Sequence, residues 1–228
     1  MSKEDFFKDY NLDISKKYIC FSGDDITTCP DDQHYLNDVA EAVEELNRTG
    51  KYNLGIIFRR CPVDFSDRYD KVLEKHRNLI VSLAPEWKQL GSSWNATLPT
   101  KEDLKLQINT ILYTEAVVNL ASSMVFDYAV FDKPCLYLNY NVSNKEDENW
   151  NPQKVYNFVH FRSMPSGDEV IWLRSKEKIA FKLELALEDS RETVNGAKNW
   201  FEKINLFPAQ NASERIWKEI EEIGNKCT

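Results

Sequence analysis

Residues 117–140 read VVNLASSMVFDYAVFDKPCLYLNY, and the order of residue types in this stretch decides the fold. A valine-rich apolar run predicts a buried strand over 117–120. Two serines then mark a helix start, and the apolar spacing carries that helix from about Ser123 to Phe131. Lys133-Pro134 stops it before a second apolar run, residues 135–138, that reads as another strand. Two buried strands joined through a helix cannot form a hairpin; they form a crossover unit of a parallel sheet.

The same alternation extends upstream. Residues 18–21, 54–58 and 79–83 are short apolar runs that read as strands. Between the first two, Leu36, Val39, Val43 and Leu46 keep helical spacing, and Gly50 lies just past the expected end. A further helix is predicted from near Ser66, with Tyr69, Val72, Leu73 and the stem of His76 on one side. Thr100 and Asp103 have capping-box spacing ahead of Leu104, Ile108, Ile111 and Leu112, which sets a helix start there. Residues 3–10 predict a short amphipathic helix presenting Phe6, Phe7 and Tyr10. Downstream, 170–173 adds a strand. Residues 175–228 read as helical, with Ile179, Leu183 and Leu187 on one face and Ile216, Ile220 and Ile223 on another. The expectation is one Rossmann-like α/β domain over residues 1–228, a mostly parallel sheet with helices on both faces. Ligands of such sheets bind beyond the carboxyl ends of the strands, which selects the loops after residues 21, 58, 83, 120 and 138. The polar segment 144–152, NKEDENWNP, reads as a surface loop beside that edge.

Composition narrows the function. The chain has 228 residues, 42% of them hydrophobic, and a net charge of −8. That is enough apolar material for a full core, and no run is long enough to span a bilayer. The acidic balance argues against general nucleic-acid binding. Cys20, Cys29, Cys61, Cys135 and Cys227 are odd in number and scattered, so neither a disulfide framework nor a zinc site is expected. His34, His76 and His160 have no ligand companions at metal spacing, and no metal is predicted. Seven glycines without a G-x-G-x-x-G disfavour a redox dinucleotide site. The opening MSKEDFFKDY lacks the apolar core of a secretory signal, so a cytoplasmic location is expected.

The candidate site residues all fall in the selected loops. Ser122 and Ser123 sit at a helix start, where free N–H groups accept a phosphate; the plainer reading is a helix cap. Asp127 follows Ser123 by one helical turn, placed to accept from ribose hydroxyls or simply to face water. Arg59 and Arg60 end a strand and read either as a phosphate clamp or as a surface pair. Gly23 permits close backbone approach to a ligand, or belongs to an ordinary turn. Trp87 and Trp94 flank the loop after the third strand and can stack on a base or pack in a lid.

The segment SSMVFDYAVFDKP resembles the signature of the nucleotide-binding C-terminal domain of GT-B glycosyltransferases, closest to the CDP-glycerol glycerophosphotransferase type. The similarity extends more loosely to residues 111–113, to YICFSGDDITTCPDD, to GIIFRRCPVDF and to residues 211–216. It implies one half of a GT-B fold, with Ser122 and Ser123 at the donor diphosphate and Asp127 at the ribose. It implies a CDP- or UDP-linked donor, no other cofactor, and a role in cell-surface polysaccharide, teichoic-acid-like polymer or glycolipid synthesis. A complete site of that kind needs an N-terminal lobe in cis or in trans, and a partner of this sort can hold the chain at the inner face of the membrane. Alone, the chain is expected to bind donor without turnover; the alternative is a non-catalytic nucleotide-sugar sensing domain. Cys61-Pro62 stands where the resembling enzymes commonly carry His-Pro, which departs from their phosphate contact.

Overall fold

The structure, a computed structural model, describes residues 1–91 and 94–226; Cys227 lies outside them. Its elements in chain order are α1 (Lys3–Asp9), β1 (Lys17–Ser22), α2 (Asp32–Arg48), β2 (Leu54–Arg59), α3 (Asp70–Lys75) and β3 (Ile80–Leu83). A two-residue antiparallel pair follows, β4 (Lys88–Gln89) and β5 (Thr97–Leu98). Then come α4 (Lys101–Tyr113), β6 (Thr114–Asn119), α5 (Met124–Val130), β7 (Cys135–Leu138), α6 (Gln153–Tyr156), α7 (Val159–Arg162) and β8 (Ile171–Leu173). Helices α8 (Ile179–Glu188), α9 (Arg191–Asn205) and α10 (Ala212–Lys226) complete the described chain.

Six strands form one parallel sheet in the order β3-β2-β1-β6-β7-β8. Chain direction across the sheet reverses between β1 and β6. Right-handed crossovers therefore send the helices before and after this point to opposite faces, and a crevice opens where the two sets part. Alternation along β2 shows the two faces. Ile57 packs with Phe6, Phe7, Tyr18, Leu83 and Leu106 beneath α1 and α4. Ile56 and Phe58 join the larger core, which includes Leu36, Val39 and Val43 of α2. Tyr18 and Gly55 are register partners in β1 and β2. The Tyr18 ring lies over Gly55 so closely that a Cβ there would stand 2.4 Å from the ring.

Local chemistry fixes the element ends. Thr100 caps α4, its hydroxyl accepting the Asp103 N–H at 3.1 Å, as the capping box predicts. Lys133 closes the other end of that helix: its ammonium donates to the carbonyls of Ile111 (2.6 Å) and Leu112 (2.7 Å). The Lys-Pro pair of the deciding segment thus both stops α5 and caps α4. Gly50, at φ +74, ends the α2 turn.

Two helices differ from the expectation. Leu104, Ile108 and Leu112 form an i, i+4, i+8 stripe that faces solvent rather than the core, while Asp103, Leu106, Thr110 and Ile111 face inward. Burial of the polar groups is possible because each is bonded; Thr110, for example, donates to the Leu106 carbonyl at 2.8 Å. Helix α3 begins at Asp70 rather than near Ser66. Asp64 accepts from both the N–H and the hydroxyl of Ser66 (3.0 and 2.6 Å), a turn that competes with helix. The short α6 and α7 and the β4–β5 pair carry no periodicity that a sequence of their length could display.

Because the Tyr18 ring occupies the space of the missing Gly55 side chain, Gly55→Ala should destabilise the fold by about 1–3 kcal/mol. Urea unfolding would measure it, and an unchanged midpoint would show that the ring moves aside at no cost.

Candidate functional site at the carboxyl edge of the sheet

The β6–α5 turn sits at the point where strand order reverses. Buried Asn119 ends the strand and accepts the Ser122 N–H through Oδ1 at 3.2 Å. Ala121 then takes a left-handed conformation, φ +54, which costs a non-glycine residue about 1–2 kcal/mol. The turn is held from below by Tyr137, whose hydroxyl donates to the Ser122 carbonyl at 2.6 Å. The Ser122 hydroxyl accepts the Met124 N–H at 3.3 Å, whereas Ser123 is exposed at the cap position and makes no side-chain cap bond. The turn thus satisfies the Ser122 and Met124 N–H groups internally and leaves the exposed Ser123 hydroxyl at the edge.

Asp127 lies one turn into α5, half-buried against α4. Gln107 donates to its Oδ2 at 3.1 Å. Burial raises the carboxyl above its usual range, and the Gln107 bond lowers it only in part. The serines and the acid therefore share one helix end, as their spacing requires.

Of the other proposed contacts, Arg59 and Gly23 are corrected by their surroundings. Arg59 points to the α4 face, where its Nη2 lies 3.2 Å from the Asp103 carboxylate; both side chains are almost fully buried. Asp103 also accepts the Glu86 N–H at 2.9 Å and the Trp87 indole N–H at 2.7 Å. Arg59 is thus a structural cation joining β2 to α4, because alternation along the strand puts it on the same side as Ile57. Trp87 is committed to the same carboxylate; the side chain of Trp94 lies outside the description. Arg60 faces the opposite way, over the Tyr69 ring at 5.0 Å, with a guanidinium N–H donated to the Ser66 carbonyl. Gly23 is buried, and a Cβ on it would meet Asp32 Oδ2 and Phe58 at 3.0 Å. Its small size serves packing inside the protein and leaves no approach for a ligand.

What fills this part of the edge is a network that the sequence reading missed. Arg68, nearly buried, reaches Asp64 Oδ2 (2.7 Å), the Asp24 carbonyl (2.6 Å) and the Tyr69 hydroxyl (2.8 Å). Tyr69 in turn donates to Asp32 Oδ2 at 2.6 Å, and the same oxygen accepts the Asp24 N–H at 3.1 Å. Burial raises the Asp32 carboxyl to about 6, against the pull of Tyr69 and Arg68. Burial, then the neighbouring Asp32 charge, pushes Asp24 well above the carboxylate range. The polar 144–152 loop clamps the network from outside, with the Glu146 N–H on Asp31 Oδ1 (2.6 Å) and the Trp150 indole on the Thr28 carbonyl (3.0 Å). The only signal in the sequence was Arg68 set among Asp64, Asp67 and Asp70. Beside this clamp, a polar cavity of about 500 Å³ opens between α2 and the loops after β7 and β8, lined by His34, Asp38, Tyr140, Asn144, Arg174 and Lys176 among others.

No family model matches the sequence, and no curated protein matches it. Solved structures do. The S. aureus MnaA–UDP co-structure is similar at a TM-score of 0.60 and 13% identity, covering 98% of this chain and 50% of that one. The chain has the fold of one GT-B lobe. UDP-GlcNAc 2-epimerase from Neisseria meningitidis bound to UDP-GlcNAc is similar at a TM-score of 0.54 and 10% identity, covering 96% of this chain and 49% of that one. The wall teichoic acid polymerase TagF is similar at a TM-score of 0.55 and 14% identity, covering 96% and 47%. The chain spans about half the length of the structures it matches. Among the described residues no helix is long and apolar enough to cross a membrane.

The raised carboxyls set a pH dependence. Asp32 takes up a proton more readily folded than unfolded, where it titrates near 3.9, so its favourable contribution is complete below about pH 4 and is lost as pH rises through about 6. In Asp32→Asn that term is absent. The wild-type-minus-variant difference in unfolding free energy should therefore fall by on the order of 2 kcal/mol between about pH 4 and about pH 8. Urea titrations at the two pH values test this, and a difference that grows with pH would contradict it.

Proposed function

We propose that this GT-B lobe binds the donor nucleotide for a glycosyltransferase or glycerophosphotransferase of cell-surface polymer or glycolipid synthesis. The observation that carries the reading is the β6–α5 turn, where a left-handed Ala121 is held at the switch point with Ser122, Ser123 and Asp127 on one helix end. Backbone strain held by two buried partners at a ligand-binding edge is the pattern of a preorganised site. The donor diphosphate is assigned to the hydroxyls of Ser122 and Ser123, and the ribose hydroxyls to the Asp127 carboxylate. Of the two arginines, Arg60 alone is kept as a diphosphate contact. The UDP and UDP-GlcNAc complexes among the similar structures favour a uridine donor, and the teichoic acid polymerase favours the phosphotransferase side.

Turnover requires an acceptor held in register, which can account for about 7–11 kcal/mol of the barrier. A second lobe, in the same polypeptide or in a partner chain, supplies that. The alternative is a nucleotide-sugar sensor, and two observations favour it. The loops after β1 and β2 are filled by their own Asp24–Asp32–Arg68 network, and Cys61 stands where a phosphate-contacting histidine is common.

Calorimetric titration of UDP, CDP, GDP and their sugar or glycerol conjugates tests the site. One nucleotide should bind saturably, and Asp127→Ala should weaken it by about 10- to 100-fold, the range expected for a hydrogen bond to a charged group. Failure of every nucleotide to bind the folded protein would overturn the donor-lobe reading. Turnover on adding a complementary lobe would decide for the transferase, and binding without turnover for the sensor.

A further inference from the structure

Asp127 is held from a neighbouring helix. Helix α4 leads into the start of β6 and α5 follows its end, so both run against the strands and both begin at the carboxyl edge. Gln107, on the second turn of α4, meets Asp127 there: its amide donates to Oδ2 at 3.1 Å, and both side chains are half-buried. The helix behind Gln107 is itself fixed. One turn earlier and on the same side, Asp103 lies 3.2 Å from Arg59 of β2 and accepts the Glu86 N–H and the Trp87 indole. Thr100 caps the first turn and Lys133 the last. A side chain carried on a helix so held is placed more precisely than one on a loop.

The bond does two things to the carboxyl. A carboxamide both donates and accepts, and only its N–H end suits a carboxylate, so the contact favours the ionised form. Engaging one oxygen also stops the carboxyl turning about its last bond, which fixes the direction of the other oxygen. Charged groups on the elements around α5 are otherwise committed. Asp103 of α4 pairs with Arg59, Glu115 of β6 with Lys17, and Lys198 of α9 with Asp132; Glu202 of α9 bonds to the Ala209 N–H, and β7 carries no charge. Burial and the Gln107 bond are what act on Asp127, the first raising the carboxyl and the second lowering it.

We propose that Gln107 is a positioning residue of the donor site, its amide aiming the Asp127 carboxyl and keeping it a carboxylate for the ribose hydroxyls. The inference rests on the assignment of Asp127 to the ribose. Two hydroxyls donating to one residue need two accepting oxygens, and a protonated carboxyl turns one of them into a donor. Without the amide, burial acts unopposed and Asp127 takes up its proton at higher pH. Ribose binding is then lost earlier as pH falls.

Gln107→Leu removes the donor, and Gln107→Lys replaces it with a charged one. Carbon-13 NMR of the Asp127 carboxyl in the nucleotide-free protein should show its titration displaced upward in Gln107→Leu and downward in Gln107→Lys. Calorimetric titration with UDP and CDP should follow the same order. At pH 5.5 Gln107→Leu should bind about tenfold more weakly than the wild type, the loss of one hydrogen bond to a charged group, with a smaller deficit at pH 8. Gln107→Lys should lose no more affinity at pH 5.5 than at pH 8. Added to Asp127→Ala, Gln107→Leu should cost nothing further. Identical carboxyl titrations in the three proteins overturn the inference. So does a wild type that binds nucleotide and a Gln107→Leu protein weakened by one factor at both pH values, the mark of lost packing alone. A wild type that binds neither nucleotide overturns the ribose assignment, and this role of Gln107 with it.

Discussion

Arg68 is the cation around which the carboxyl edge of β1 and β2 is assembled. Its guanidinium joins Asp64 in its own loop to the Asp24 carbonyl and the Tyr69 hydroxyl, and Tyr69 passes the contact on to Asp32 at the start of α2. The β1–α2 and β2–α3 loops are tied by one buried side chain. A charge removed from water is tolerated only when its hydrogen-bonding capacity is met, and here carbonyls and carboxylates from different segments meet it. The packed Gly23, the late start of α3 and the clamp of the 144–152 loop all follow from that arrangement.

This edge is divided in two. Around β1 and β2 the protein's own aspartates and arginine fill the space, with Arg59 drawn to Asp103 on the far face. Around β6 the turn is open, strained at Ala121 and lined by exposed or half-buried polar groups. In a sheet whose strand order reverses between β1 and β6, one side of the crevice is therefore a filled wall and the other carries the exposed Ser123 and the half-buried Ser122 and Asp127. The fold that it shares with UDP-bound structures explains why such a crevice exists; the side chains decide what enters it.

Much of the architecture was legible because it depends on near neighbours. The capping box at Thr100 and Asp103, the periodicity of Leu36, Val39, Val43 and Leu46, and the strand–helix–strand order of residues 117–138 are each set by contacts within a few residues. The outward stripe of Leu104, Ile108 and Leu112 was not, because an apolar period states that a helix has two faces without stating which meets the sheet. Arg59 and Arg60 are adjacent in sequence but opposite in space, a consequence of strand pleating that only the placement of α4 turns into a buried ion pair.

The sequence by itself determined a parallel α/β sheet, its approximate element order and the turn carrying Ser122, Ser123 and Asp127, since local periodicity, capping and chain-stop residues encode these directly. Only the tertiary structure decided that Arg59 is structural and that Arg68 organises the edge. Those outcomes rest on contacts between residues tens of positions apart, where burial and the need to satisfy each buried charge, rather than any spacing along the chain, select the partner.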